Sequence, residues 1–149
     1  MSDTLSPPAP AAAFHGVTHD TSALFQQVAF NHLLGLRREF ASQGVARLVL
    51  DLRSELTNNF GNAHGGVLMT LLDGAMSSAA LSHSGFKLAV MTIEMSTQFH
   101  QPGRGRLTAH GRATRAGKSI CFCEAHIENE AGDVIAKAVG SFKFMRTEP

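Results

Sequence analysis

Residues 64–81 read HGGVLMTLLDGAMSSAAL, a run that begins with a histidine and two glycines and continues as an almost wholly apolar segment. The pattern predicts a long helix that has no polar face and is buried on most sides. A single carboxylate, Asp73, stands at its centre. Because burial strips the hydration of an ionised carboxylate, such a group must be hydrogen-bonded or paired. Asp73 is therefore the first candidate for a functional residue.

The whole chain has the size and composition of one globular domain. It has 149 residues, of which 44% are hydrophobic, and this length suffices for a single domain with a substantial core. The formal net charge of +1 argues against a general nucleic-acid-binding protein, which would carry a basic excess. Thr70, Asp73, Ser77 and Ser78 interrupt the apolar helix, so neither a membrane span nor a membrane partner is expected.

The two cysteines indicate a reducing environment. Cys121 and Cys123 flank a phenylalanine, which is neither a CxxC redox motif nor a zinc ligand set. On a strand both side chains point to the same face, where a mutual disulfide would be strained. Two reduced thiols fit a cytoplasmic protein, and the cytoplasm is the expected location.

The composition of the N-terminus predicts a disordered tail over the first 20 residues, and residues 21–149 are expected to form the domain. Residues 1–13 are rich in Pro, Ala, Ser and Thr, with Asp3 as their only charge. They lack the positively charged start and the longer apolar run of a secretory signal.

The predicted elements are a short helix, two strands, the long helix, and three or four further strands. Thr21 or Ser22 caps the short helix over residues 23–31, whose inner face carries Leu24, Phe25 and Val28. After Gly85 the apolar residues alternate with period two, which is typical of strands joined by short turns. The predicted strands are residues 34–40, 45–52, 89 to the break at Pro102-Gly103, 107–113, 119–128 and 134–145, with a turn at 41–44. This order describes an α+β domain whose central helix is wrapped by a curved antiparallel sheet.

The first turn of the predicted central helix has the chemistry of an oxyanion hole. The first N–H groups of a helix have no partner within it, and the helix dipole adds partial positive charge there. Gly65 and Gly66 lack side chains, so a substrate oxygen can approach the backbone closely. Asp73 follows Gly65 by eight residues, and a carboxylate beside such a donor suits acyl transfer. The same residues also fit a purely structural role, in which the paired glycines form a tight turn and the buried aspartate bonds to loop amides.

Asn58 lies six residues before His64-Gly65-Gly66, and Asp73 lies nine residues after the histidine. This pattern resembles the signature of hot-dog-fold acyl-CoA thioesterases of the phenylacetate-degradation (PaaI-like) type. The similarity extends from about residue 24 to residue 144 and includes the Pro102-Gly103 break. It implies a single hot-dog domain, of class α+β, that hydrolyses aryl- or short- or medium-chain acyl-CoA thioesters.

The resemblance implies roles for five residues around the thioester carbonyl. Asp73 is the general base that activates water, or the nucleophile that forms a transient anhydride. The backbone N–H of Gly65 polarises the carbonyl, and Asn58 positions water or the carboxylate. His64 shapes the first turn of the helix and assists at the carbonyl. Thr92 matches a Ser or Thr near the attacked carbon, with one extra residue in the interval from Asp73.

The resemblance also implies a coenzyme A site and a homodimer. The expected coenzyme A contacts are a turn between two strands and a lysine on the last strand: Arg115, Ala116, Gly117, Lys118, Ser119, Ile120 and Lys143. Basic side chains suit the nucleotide phosphates, although they are also common in solvated turns. Two copies pair their sheets edge to edge, each site combines Asp73 of one copy with the helix start of the other, and dimers pair again into tetramers. Coenzyme A is part of the substrate, so no separate cofactor is expected.

Two alternative functions are a dehydratase or hydratase of the hot-dog type and a non-catalytic acyl-CoA-binding protein. The dehydratases pair a histidine with an acid further along the helix, whereas here the fourteenth residue after His64 is Ser78. Acyl-CoA sensors commonly carry a DNA-binding segment, which is not expected within the short tail. His83, His100, His110 and His126 show no pairwise spacing on one element that is typical of metal ligands, so no metal site is expected.

Overall fold

The computed structural model describes residues 22–146. Its elements are α1 Ser22–Gln27, α2 Ala29–Leu34, β1 Arg37–Ser42, β2 Val45–Asp51, α3 Gly65–His83, β3 Ala89–Phe99, β4 Arg106–Ala116, β5 Ile120–Glu128 and β6 Val134–Met145. A short 3₁₀ helix, Ser54–Leu56, lies in the loop before α3. The predicted tail over residues 1–20 and the capping position Thr21 lie outside the described residues.

The six strands form one antiparallel sheet in the order β1-β2-β4-β5-β6-β3. Burial alternates along the central strands: in β5, Cys121, Cys123, Ala125 and Ile127 are buried, and the residues between them are more accessible. One face of the sheet therefore packs against α3, because side chains alternate between the two faces of a strand. The predicted α+β hot-dog architecture is confirmed.

The N-terminal elements differ from the prediction. The helix predicted over residues 23–31 is two helices, because Val28 has an extended backbone (φ −65°, ψ 111°). Val28 is half exposed and does not lie on an inner face. The strand predicted from residue 34 begins at Arg37, because Gly35 adopts a left-handed conformation (φ 73°) that ends α2. That strand continues to Ser42, so the turn predicted over 41–44 contracts to Gln43 and Gly44, both at positive φ.

The central helix lies directly on the backbone of β4. A Cβ atom built on Gly111 would lie 2.2 Å from the carbonyl oxygen of Ala75, so no side chain fits at this position. Ala75 and Met76 are fully buried at the crossing. Since backbone atoms on both sides make this contact, it determines how α3 is rotated on the sheet.

The central helix is buried on most sides, as predicted, but one stripe of it remains accessible. This open stripe consists of Met69, Thr70, Asp73, Ser77 and Leu81. After the adjacent Met69 and Thr70, its members recur at spacings of three or four residues, which places them along one side of the helix. Asp73 is thus only partly buried, and contact with solvent lowers the cost of its charge. Within residues 22–146, no helix is long and apolar enough to cross a membrane.

The two cysteines are free thiols on the helix-facing side of β5. Their Sγ atoms lie 3.7 Å apart, and both residues are buried in the core. Burial raises the pKa of both thiols, so the reactive thiolate form is suppressed. Their environment is that of packing residues.

We expect Gly111→Ala to destabilise the fold, because the added methyl group meets backbone atoms that cannot move aside. Overpacking of this kind costs about 1–3 kcal/mol, which corresponds to a fall in Tm of about 3–9 °C in thermal unfolding followed by circular dichroism. Gly117→Ala is the matched control, since a Cβ atom there would lie at an ordinary 3.6 Å from the carbonyl oxygen of Ile120. Equal Tm values for the two variants would contradict the direct contact between α3 and β4.

Candidate active site

Asp73 and Thr92 meet on the open side of α3. Thr92 Oγ1 donates a hydrogen bond to Asp73 Oδ1 at 2.7 Å. Thr92 lies opposite the buried Phe142 in the β3–β6 pair, so its side chain is on the helix-facing side of the sheet. The register shifts directly after Thr92, and such bulges redirect side chains beside functional sites. The longer interval from Asp73 to Thr92 therefore does not keep these two residues apart.

A cavity of about 710 Å³ lies beside Asp73. This volume is within the range of small-molecule sites. Its wall is formed by the open stripe of α3, the N-terminal helices, the start of β3 and the loop before it, and it is mainly apolar, with Phe25, Phe86, Leu88 and Met95 among its side chains. The cavity can accommodate an apolar group whose reactive end is at Asp73.

Arg38 is a charged residue in the cavity wall that the sequence analysis did not identify. Its guanidinium carbon lies 5.0 Å from the ring centre of Phe25 and 5.6 Å from that of Phe86. Its Nη1 donates a hydrogen bond to Ser78 Oγ at 3.5 Å, and the residue is only 8% exposed. The aromatic contacts stabilise the cation through its attraction to the ring faces. Four distant segments of the chain meet here, and no local pattern signals such a meeting.

His64 is the N-cap of α3. Its Nδ1 accepts a hydrogen bond from the Gly66 N–H at 2.9 Å, so the proton of the neutral ring resides on Nε2. The His64 carbonyl oxygen accepts from the N–H groups of Val67 and Leu68, at 2.9 and 3.2 Å. Among the described residues, Gly65 is then the position in this first turn whose N–H has no partner. Its N–H remains as the donor for a ligand oxygen.

Asn58 organises the loop that leads into α3. Its Oδ1 accepts hydrogen bonds from the N–H groups of Phe60 and Asn62, at 2.9 and 3.2 Å. Since both acceptor positions of Oδ1 are used in this way, the predicted contact with water or with a carboxylate is left to the Nδ2 amide.

The five predicted residues form two groups within one chain. Asp73 and Thr92 form the first group, and the second group, at the start of α3, is Asn58, His64 and Gly65. Eight residues of helix place Gly65 about 12 Å from Asp73 along the axis. Gly65 lies instead near the end of β3, where a Cβ atom built on it would be 3.6 Å from the Phe99 ring.

The turn predicted to contact coenzyme A joins β4 to β5. The Gly117 N–H donates to the Ile120 carbonyl oxygen at 2.8 Å, which closes the turn. Its polar side chains Arg115, Lys118 and Ser119 are exposed, whereas Ala116 and Ile120 are partly buried. This arrangement presents two cations to solvent, as a phosphate site requires.

Lys143 lies at the same end of the sheet as this turn. It is opposite Ile120 in the β5–β6 pair and opposite Met91, the neighbour of Thr92, in the β3–β6 pair. This end also carries two further exposed cations that belong to no recognised motif, Lys87 before β3 and Arg146 after β6. The basic end of the sheet is therefore the end that carries Thr92.

Two of the four histidines considered as metal ligands lie side by side. His110 and His126 are direct partners in the β4–β5 pair, whereas His83 and His100 are exposed elsewhere. Burial, together with the nearby His126, lowers the pKa of His110. The sequence predicts no metal site because no two of these histidines have a suitable spacing on one element, whereas these two residues lie on neighbouring strands.

We expect His64→Ala to destabilise the protein by about 1 kcal/mol, because α3 loses its side-chain cap. His64→Asn should restore most of this loss, since asparagine also accepts a hydrogen bond at an N-cap. Urea unfolding followed by circular dichroism measures both variants. An equal loss in the two variants would contradict the capping role.

Comparisons with known proteins identify the family of this chain. The sequence profile of the thioesterase superfamily matches residues 60–136, a range that contains α3 and β3. A protein of Halobacterium salinarum with the name "Putative esterase" is 31% identical over 144 residues, which cover 87% of this chain and 95% of that protein. A solved structure of a conserved protein from Pseudomonas aeruginosa is 29% identical with a TM-score of 0.76, covering 78% of this chain and 94% of its own. The E. coli PaaI protein from the phenylacetic acid degradation operon shares the fold, with a TM-score of 0.76 at 24% identity over 85% of this chain and 89% of its own. The chain therefore belongs to the thioesterase superfamily.

Proposed function

We propose that the protein hydrolyses acyl-CoA thioesters, with aryl or short- to medium-chain acyl groups, to the free acid and coenzyme A. The observation that carries this proposal is the hydrogen bond of 2.7 Å from Thr92 Oγ1 to Oδ1 of Asp73, a residue that lines a mainly apolar cavity. The bond orients the carboxylate and leaves Oδ2 to act on the substrate. The family supports hydrolysis of a thioester, and the apolar wall supports an apolar acyl group.

Asp73 acts in one of two routes, as the general base or as the nucleophile. As a base, it accepts a proton from water while the water oxygen attacks the carbonyl carbon. As a nucleophile, it attacks that carbon itself, and water then hydrolyses the anhydride. In both routes a backbone N–H stabilises the oxyanion, the carbon–sulfur bond breaks, and the sulfur leaves as thiolate and takes up a proton. A single turnover in ¹⁸O-labelled water, followed by mass spectrometry of the acid and of the protein, tests for the anhydride. Label in Asp73 and none in the acid identifies an anhydride whose aspartyl carbonyl is attacked by water, since the base route places the label in the acid alone.

The separation of Gly65 from Asp73 supports a site assembled from two copies of the chain. A donor must lie about 3 Å from the oxyanion, and about 12 Å of helix separates the two residues in one copy. β3 is an edge strand with exposed apolar side chains at Met91, Ile93 and Phe99, a type of edge that favours pairing with another strand. Antiparallel pairing of β3 with its copy brings the Thr92 end of one strand beside the Phe99 end of the other. Asp73 of one copy then faces Gly65 of the second.

The basic end of the sheet supports coenzyme A as the carrier of the acyl group. Arg115 and Lys118 in the β4–β5 turn, with Lys143 opposite Ile120, lie at the Thr92 end. Phosphate groups of a nucleotide bind such side chains through charge-assisted hydrogen bonds. The acyl end of the same molecule would lie in the cavity beside Asp73. We further propose a cytoplasmic homodimer that pairs again into a tetramer.

We expect Asp73→Asn to lower hydrolysis of a good acyl-CoA by about 10²-fold or more, because the amide is neither a base nor a nucleophile. Release of free thiol from a panel of aryl-, short- and medium-chain acyl-CoAs measures the rate. Ser77→Ala is the matched control, one turn further along the open stripe, and should retain activity. Wild-type rates in Asp73→Asn would contradict the proposal.

We expect Gly65→Pro to lower kcat by about 10²-fold, because it removes one N–H donor from the oxyanion. Proline is favoured at the first position of a helix, and the extended backbone of His64 (φ −61°, ψ 139°) suits a residue before proline. Gly65→Ala keeps the N–H and adds a Cβ atom at an ordinary 3.6 Å from Phe99, so it serves as the control.

Mixing the two inactive variants tests the assembly of the site. If Asp73 and Gly65 act from different copies, a mixed dimer of Asp73→Asn and Gly65→Pro contains one intact site out of two. Random pairing at equal ratio makes about half of the dimers mixed, so about one quarter of wild-type activity returns. Unfolding and refolding the variants together, followed by the thiol assay, measures this recovery. Absence of recovery, when mass spectrometry shows mixed dimers, would contradict a shared site.

A further inference from the structure

A cluster of metal-ligand side chains lies on the face of the sheet that points away from α3. His110 on β4 and His126 on β5 are direct cross-strand partners, and Glu128 follows His126 by two residues on the same face. Ala125 and Ile127, which alternate with them along β5, are buried against the helix. The cluster is therefore on the opposite side of the sheet from Asp73 and the cavity, and it does not depend on the proposed hydrolysis.

The three side chains converge on one point. His126 Nε2 lies 3.0 Å from Glu128 Oε1, and His110 Nε2 lies 3.6 Å from Glu128 Oε2. The two imidazole rings are stacked, with their centres 5.0 Å apart and their planes 18° from parallel. One ligand atom from each residue lies within 4.8 Å of the others. Ligand atoms at about 2.0–2.2 Å from a tetrahedral ion are roughly 3.4 Å from one another, so only a small closure of the cluster is needed.

Charged residues on the neighbouring strands flank this cluster. Arg47 on β2 lies opposite His110, and its guanidinium forms an ion pair with Glu39. Lys137 on β6 lies opposite His126. Lys137 is thus a nearby charge that opposes a bound cation, and its removal should strengthen binding.

We propose that His110, His126 and Glu128 bind one divalent transition-metal ion of the zinc class. Two imidazole nitrogens and one carboxylate oxygen favour Zn²⁺ and similar ions over Mg²⁺ and Ca²⁺, which prefer oxygen ligands. Three protein ligands leave a fourth tetrahedral position for water or for a donor from another molecule. The ion joins β4 to β5 and stabilises the folded state by binding to it.

Titration of the untagged, full-length, chelator-treated protein with Zn²⁺ tests this site, by calorimetry and by the shift in Tm. We expect saturating Zn²⁺ to raise the Tm by about 5 °C or more, and His126→Gln and Glu128→Gln each to weaken binding by about tenfold or more. His100→Gln, an exposed histidine outside the cluster, is the matched control and should bind as the wild type does. Lys137→Gln should bind Zn²⁺ more tightly than the wild type.

His15 and His19 lie outside the described residues and are present in every variant, so the differences between variants decide the outcome. Equal Zn²⁺ affinity in the wild type, His126→Gln and Glu128→Gln would overturn the proposal. An equal rise in Tm with Mg²⁺ would overturn the assigned class of ion. Since the cluster is on the outer face of the sheet, circular dichroism should show that these variants fold normally.

Discussion

The contact between the Ala75 carbonyl oxygen and Gly111 is the constraint on which the remaining geometry depends. A Cβ atom at Gly111 would come within 2.2 Å of that oxygen, so helix and sheet meet backbone to backbone. Because the two backbones are in direct contact, this crossing restricts how the helix can roll or slide on the sheet. Asp73 precedes Ala75 by two residues and so lies about 200° around the helix from the contact. The carboxylate is therefore directed away from the sheet centre and toward the edge strand β3, where Thr92 meets it.

The cap at the start of the helix determines which backbone N–H lacks a partner, as the crossing determines the position of the carboxylate. His64 takes up the N–H of Gly66 through its side chain and those of Val67 and Leu68 through its carbonyl oxygen. A ligand oxygen at the first turn is then offered the N–H of Gly65. The histidine of the motif thus determines which backbone N–H in the first turn is left without a partner among the described residues.

The sequence predicts the elements whose apolar pattern repeats over many residues, and it misses the short elements. The apolar run of α3 and the alternation in β4, β5 and β6 are strong signals, since each repeats over two or more turns or several residue pairs. The break at Val28 and the start of β1 are missed because six-residue helices carry almost no periodic signal, and a single glycine, Gly35, ends the second one.

The candidate site divides in the same way. Asp73, Gly65, His64 and Asn58 could be found because one motif contains them all. Arg38 could not be found, because its neighbours Phe25, Ser78 and Phe86 come from three other segments of the chain. The pairing of His110 with His126 depends on the register of two strands, which no spacing along the sequence reveals.

In α3, different residues pack the core and line the cavity. The sheet holds the buried positions, where a change of volume is felt throughout the core. Met69, Thr70, Ser77 and Leu81 border the cavity from the accessible side, where substitutions cost little folding free energy. Mutation can therefore reshape the cavity wall while the architecture persists. Under selection, the lining of the cavity and the fold are free to change at different rates on one helix.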